Sequence, residues 1–301
     1  MGLSVVIYVW SIYSNIEVAQ DLVIAHTAYE PIPNSNPTQY VQNQATSALL
    51  LRTALANKEV LGKLNVTLEH PSLKPLIRRN MNLEEFARLG VQDVSIAWPV
   101  FQALWAELTA TDAGTPRPPI LVTVDGLAHW MMESQYRSAE FKPIHAHDLV
   151  FVKHFLSLLQ PGNAEARLPN GGLLLYSTSG SNNPTIYSFE TALRQLAARQ
   201  NGIDASSPDF PHADPYAGVD QKVMDIFKPT APQSAKEGEL ELQTLGGLSR
   251  DEARGLMEYF ARSGILQEKV TEEWVGEKWS LAGGGIVGEM EKLGRRVRSI
   301  L

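Results

Sequence analysis

Two hydrophobic periods alternate along this chain, and the changes between them mark its elements. Val5 to Ile16 is almost continuously apolar and predicts a buried strand. Ala19 to Asn36, rich in Pro and Asn, predicts a surface loop. From Thr38 to Leu61 the spacing of Leu50, Leu51, Ala54 and Leu55 is that of a helix packed on a sheet. Leu83 to Leu89 predicts a short helix closed by Gly90, and Ala97 to Leu108 a second, with Trp98, Phe101, Leu104 and Trp105 on its core face. Asp112 to Pro119 reads as a loop. Then Ile120-Leu-Val-Thr-Val-Asp125 reads as a parallel strand that ends in a carboxylate. His147 to Leu159 predicts a helix stopped by Pro161-Gly162, and Gly171 to Thr178 a second fully apolar strand. Strand and helix recur in turn, so the expected fold is α/β, with a parallel sheet covered by helices on both faces over residues 1–200.

Beyond Asn201 the pattern breaks. Residues 201–247 carry Pro208, Pro211, Pro215, Pro229 and Pro232 among Asp, Gly and Ser, the composition of a connector, with one short helix expected within Val219 to Phe227. Ser249-Arg-Asp-Glu252 is a capping box, in which the Ser hydroxyl and the Glu carboxylate each satisfy a free N–H of the first turn. The helix it opens places Ala253, Leu256, Met257 and Phe260 on one face and ends at Ser263-Gly264. Ile265-Leu266 and Lys278-Trp279-Ser280-Leu281 predict two short strands, and Ile286 to Val297 a final helix. Residues 248–301 are therefore expected to form a smaller, winged-helix-like module. No internal repeat is present.

Composition narrows the class. The 301 residues, 44% hydrophobic, suffice for a sizeable core and about two domains. The absence of cysteine excludes disulfides and thiolate metal sites. A net charge of −7 argues against a surface that is basic throughout, and leaves room for a local basic patch. Leu3 to Tyr13 is too short to span a bilayer and no Lys or Arg precedes it, so membrane insertion and a signal peptide are not expected. Val6 occupies the place where a myristoylation motif needs Ser or Thr. The first basic residue is Arg52, so an Arg-rich transit peptide is not expected within these residues.

The chemistry concentrates at the strand ends. An acid closing a buried parallel strand stands where P-loop nucleotide-binding proteins place their magnesium-holding aspartate, which makes Asp125 the candidate metal and cofactor residue. The alternative is an Asp that caps the following helix. Ser177 and Thr178 close the next strand and are candidates to sense a γ-phosphate, although Ser-Thr-Ser-Gly-Ser is also ordinary loop sequence. No GxxxxGK[ST] phosphate loop is present: Gly62-Lys63 is followed by Leu64, and Asn57 holds the place of the first glycine. Gly126 stands where hydrolytic relatives of such domains often carry a second carboxylate, which argues against hydrolysis. Ser179 is not a nucleophile elbow, because Ser177 replaces the first glycine. His145, His147 and His154 lack a third ligand at a zinc spacing and read as helix-end and surface residues. Lys292, Arg295, Arg296 and Arg298 form the densest positive cluster, which in most proteins is a solvated helix face, with Lys74, Arg78 and Arg79 a weaker second patch.

Longer words carry a family resemblance. Glu17-Val-Ala-Gln-Asp-Leu22, His26-Thr-Ala-Tyr29, Pro37-Thr-Gln-Tyr40 and Leu121-Val-Thr-Val-Asp-Gly-Leu127 are similar to the death-associated protein 3 family of mitochondrial small-ribosomal-subunit proteins. So are Asp214-Pro-Tyr216, Gly247-Leu-Ser249, Glu252-Ala-Arg-Gly-Leu256, Glu258-Tyr259 and Lys278-Trp-Ser-Leu-Ala-Gly-Gly-Gly285, and fungal members resemble the chain most. The resemblance implies a P-loop NTPase (AAA-like) fold that binds GTP with magnesium, and a non-enzymatic structural role in the mitochondrial ribosome of the matrix. It further implies small-subunit rRNA and neighbouring ribosomal proteins as partners, and makes Lys292, Arg295, Arg296 and Arg298 the candidate rRNA contacts. The family's P-loop lies just before the stretch matched from Glu17, where Met1-Gly-Leu-Ser-Val-Val6 stands here. Nucleotide binding is accordingly expected to be weak or absent, and a truncated start would account for both the missing loop and the missing transit peptide. The competing reading is a free P-loop GTPase or ATPase, or an apoptosis-related signalling switch.

Overall fold

A computed structural model describes residues 5–10, 28–112, 114–159, 168–181, 183–228 and 240–295. These fall into two compact units, the first built from residues up to Ser177 and from Thr185 to Glu241, the second from Thr178–Pro184 and from Leu242 onward.

The first unit is organised by a three-stranded parallel sheet in the order β1 (Val5–Trp10), β3 (Ile120–Asp125), β6 (Gly172–Ser177). Register runs from Val5, Ile120 and Gly172 at the amino ends to Trp10, Asp125 and Ser177 at the carboxyl ends. Side chains alternate between faces. Val5, Ile7, Ile120, Val122 and Val124 lie on the buried face, in one core with Leu51 and Ala54 of α1 (Gln44–Leu55), Phe101 and Leu104 of α4 (Ala97–Thr109) and Phe155 of α5 (Val150–Ser157). The Tyr176 hydroxyl ties β6 to α5 through the Phe155 carbonyl at 2.7 Å. The other face differs from the expectation of cover on both sides: Leu173 is 59% and Leu175 53% exposed, beside the more than one-third exposed Val6.

Local sequence chemistry sets the helix bounds. The Asn43 side chain accepts from Ala45 N–H and starts α1 at Gln44, so Thr38 to Asn43 is outside the helix, and Ala56-Asn57 separates α1 from α2 (Lys58–Leu61). Asn82 caps α3 (Leu83–Gln92) by accepting from Glu85 N–H. Gly90 does not close α3, which continues to Gln92. A Cβ at Gly90 would stand 2.4 Å from Leu51 Cδ1, so this glycine permits close approach to α1 and is not a terminator.

Further elements lie outside the sequence expectation. A second small sheet has β2 (Ala28–Tyr29) parallel to β4 (Glu133–Ser138) and β4 antiparallel to β5 (Pro143–His145); β2 falls in a stretch expected as loop, and β4 and β5 in residues for which the pattern predicts no element. A helix, α6 (Tyr187–Gln200), precedes the expected connector. That connector is part of the first unit as far as it is described to residue 228: Val223, Met224 and Ile226 of α7 (Gln221–Ile226), and Phe227, join the main core.

The second unit has its own core of Ala253, Met257, Phe260, Leu266, Val275, Ala282 and Met290. It contains α8 (Arg250–Arg262), α9 (Glu272–Leu281) and α10 (Val287–Gly294) and, among the described residues, no strand. The expected strand Lys278–Leu281 is the last turn of α9, and Ile265-Leu266 follows the end of α8. The module therefore lacks the hairpin that would make it winged. Thr271 caps α9 by accepting from Trp274 N–H, a start signal that the apolar content of Trp279 and Leu281 masks.

Candidate functional site

The carboxyl edge of the main sheet brings two of the predicted residues together. Asp125 and Ser177 are direct register partners, and the Ser177 hydroxyl donates to Asp125 Oδ1 at 2.7 Å. Gly126 then turns the chain at φ 77° and ψ 37°, a left-handed conformation that admits glycine most easily. Thr178 is engaged elsewhere, its hydroxyl 2.8 Å from the Asn183 side-chain oxygen within the second unit. Asp125 and Ser177 supply oxygen donors of the kind a magnesium ion takes. The Gly62-Lys63 pair is not at this edge. It follows α2, whose N-cap residue Asn57 binds both backbone groups of Val6 near the amino end of β1, accepting from its N–H at 3.1 Å and donating to its carbonyl at 2.7 Å. Asn57 thus closes the outer edge of β1 as a strand backbone would, a role unrelated to phosphate.

The predicted basic cluster is only partly described. Lys292 Nζ lies 2.6 Å from Glu289 and also reaches the Ser181 carbonyl, and the Arg295 guanidinium pairs with Glu291. Both cations are therefore shared with a carboxylate one helical turn away. Arg296 and Arg298 lie outside the described residues.

The histidines are not surface residues. His154 is enclosed edge-on by Trp98, Phe101, Trp105 and Phe155, with ring centroids 4.9 to 6.1 Å away, and burial pushes its pKa down to about 4. His147 is pushed down to about 3, by burial first and then by neighbouring His145. His145 lies 3.1 Å from Asp220, yet burial outweighs that carboxylate and lowers its pKa as well. Lys222 Nζ spans both oxygens of Asp148 at 2.7 Å. No group of three or more potential metal ligands occurs among the described residues.

One constellation escaped the sequence reading. Glu107 of α4 and Arg117 form an ion pair at 2.5 Å with both side chains fully buried. The Glu107 carboxylate also accepts from the backbone N–H groups of Thr67 and Leu68 and from the Thr67 hydroxyl, and lies 3.1 Å from His70 Nε2. Burial raises its pKa, but the Leu68 and Thr67 hydrogen bonds outweigh burial and hold it below the ordinary carboxylate value. Arg117 Nη2 adds bonds to the Asn65 carbonyl and the Thr67 hydroxyl. The signal was present: Glu107 falls on the apolar stripe of Val100, Ala103, Leu104 and Leu108, where an acid must be paired.

Comparison with known proteins agrees across both units. The family model described as mitochondrial ribosomal death-associated protein 3 matches residues 11–293. The small ribosomal subunit protein mS29 of Neurospora crassa is 39% identical over 279 residues, covering 92% of this chain and 55% of that protein. The chain spans about half the length of the curated relative it matches.

Proposed function

From the premise that this chain belongs to the mitochondrial ribosomal death-associated protein 3 family, we propose that it is a structural, non-enzymatic component of the mitochondrial small ribosomal subunit. The observation that carries the reading is identity sustained at 39% over 92% of the chain, through both compact units, with a relative named as a small-subunit protein. The partners are small-subunit rRNA and adjacent ribosomal proteins, and the place of action is the ribosome of the mitochondrial matrix. Among the described residues no helix is long and apolar enough to cross a membrane.

The α/β unit is read as a P-loop-like scaffold. Support comes from the parallel β1-β3-β6 sheet with Asp125 at its carboxyl edge, and from a β6 that pairs with no other strand among the described residues. Parallel sheets are ordinarily covered on both faces, so the β6 edge and the exposed Leu173 and Leu175 are where a further strand and helix of such a fold would lie. GTP with magnesium, the family's ligand, is not well served by the residues present. Asp125 and Ser177 could hold the metal, but the sequence offers no glycine-rich loop of N–H donors and no Lys in a GK[ST] context for the phosphates. With Gly126 following the acid, this chain is proposed not to hydrolyse nucleotide.

Sedimentation tests the assignment. When the full-length native product is tagged and mitochondria are gently lysed, it should travel with the small subunit in a magnesium-containing gradient. Its recovery solely in the soluble fractions at the top would favour the free GTPase, ATPase or apoptosis-related switch.

A further inference from the structure

The Glu107–Arg117 pair holds a loop, and that loop presents the unshared positive charge. Residues 65–82 leave and return side by side: Asn65 and Asn82 form an isolated antiparallel bridge, Val66 N–H donates to the Met81 carbonyl at 2.9 Å, and Leu83 N–H to the Leu64 carbonyl at 2.7 Å. One flank is fastened by four Glu107 contacts, to Thr67, Leu68 and His70, and by Arg117, itself paired with Glu107, on Asn65 and Thr67. The far side is pinned by Leu73 and Met81, 2% and 5% exposed, with Ile77 packed against the same core. Pro71 and Pro75 stiffen the six-residue 3₁₀ segment Pro71–Leu76 of this loop. Compact loops closed at the base and packed on their own side chains are frequently functional.

Lys74, Arg78 and Arg79 stand between the anchors. All three are exposed, and their side chains make no ion pair or hydrogen bond among the described residues. Against these three cations the loop carries one carboxylate on its surface, the exposed Glu69, while the rest of the protein is acidic enough to give a net charge of −7. Lys292 and Arg295 differ in this respect, since each already has a carboxylate partner. Six residues from Lys74 to Arg79 reach at most about 20 Å, a span over which a duplex, with roughly one charge per 1.7 Å of axis in DNA, offers several phosphates.

We propose that loop 65–82 is a preorganised phosphate-backbone contact for rRNA, made by Lys74, Arg78 and Arg79. This rests on the ribosomal reading and gives it a surface. A held loop loses little conformational freedom on binding, and unpaired cations have no internal carboxylate to give up, which is what favours this patch over the carboxyl-terminal one.

The probe is a mixed-sequence RNA hairpin titrated by fluorescence anisotropy with the 301-residue chain between about 50 and 200 mM KCl. The triple variant K74A/R78A/R79A should lower the slope of log K against log salt by about 2 to 3, at roughly 0.7 to 0.9 for each lost phosphate contact. Its thermal midpoint should be unchanged, because the side chains are exposed. The charge-preserving variant K74R/R78K/R79K should retain most of the slope. An unchanged slope in the alanine variant overturns the proposal. So does absence of hairpin binding by the wild type at 50 mM KCl, a larger loss from K292A/R295A than from the loop variant, or equal competition by polyglutamate, which would mark the patch as a site for an acidic protein. Gradient sedimentation of the wild type, read in parallel, reports on the ribosomal assignment itself and separates its failure from that of the loop.

Discussion

At the residue scale, burial decides what the titratable groups do. His154 sits in an aromatic enclosure, its Nε2 buried and without a hydrogen-bond partner among the described residues, and its pKa is pushed down to about 4. In an unfolded chain histidine titrates near 6.5, so above that pH both states are neutral and this residue adds no pH dependence. As pH falls from about 6.5 to about 4 the unfolded chain takes up a proton that the folded chain refuses, and stability falls. Below about 4 both states are charged and the slope ends. His147, pushed down to about 3, acts with the same sign. His154→Phe keeps the ring contacts and removes the proton. It should leave stability at pH 8 nearly unaltered and gain on the order of 1–3 kcal/mol relative to wild type at pH 4. Chemical denaturation across that range checks it, and parallel acid limbs in the two proteins would show that His154 titrates normally. Three histidines within ten residues were visible in the sequence. The burial of His154 was not, because it depends on Trp98 and Trp105 arriving from a helix about fifty residues earlier.

At the element scale, caps written in the sequence were the dependable signals. The reciprocal Ser249 and Glu252 bonds are both present, the Ser249 N–H donating to Glu252 at 2.8 Å and the Ser249 hydroxyl accepting from Glu252 N–H at 3.3 Å. Ser249→Ala should lower the stability of the second unit by about 1 kcal/mol, the usual effect of a lost N-cap. Thermal unfolding followed by near-ultraviolet dichroism of Trp274 and Trp279 would detect it, and no change in midpoint would mean that α8 starts elsewhere. Hydrophobic period was less dependable at short range. Lys278-Trp-Ser-Leu281 has strand-like composition and is helical, because the Thr271 cap and the burial of Val275 in one core with Ala253 and Met257 override four residues of propensity. β2, β4 and β5 were missed for the converse reason. They are short and half polar, and their pairing exists only once distant segments meet.

At the scale of the whole molecule, nucleotide binding is the discriminating measurement. Phosphate affinity in a P-loop comes from backbone N–H groups and a Lys that this sequence does not supply, and an Asp125 carboxylate without them repels a polyphosphate unless metal intervenes. Calorimetric titration of the 301-residue chain with Mg-GTP should therefore show no binding in the micromolar range, and micromolar affinity would return the free-switch reading to first place. The sequence by itself determined the strand ending at Asp125, the next strand to within one residue of each end, the helix starts at Ser249 and within the 83–109 region, and the family. Each of these is local, being an unbroken apolar run, a cap three residues from its partner, or a long word of unusual composition. Only the tertiary structure decided that Ser177 binds Asp125, that Glu107 and Arg117 fasten loop 65–82, and that Lys292 and Arg295 are shared while Lys74, Arg78 and Arg79 have no ion-pair partner among the described residues. Asp125 and Ser177 stand fifty-two positions apart and Thr67 and Glu107 forty, and no periodicity over such separations encodes their meeting. Hydrogen bonds and ion pairs at such separations form because the core draws their elements together, so they are consequences of packing and not of any local pattern.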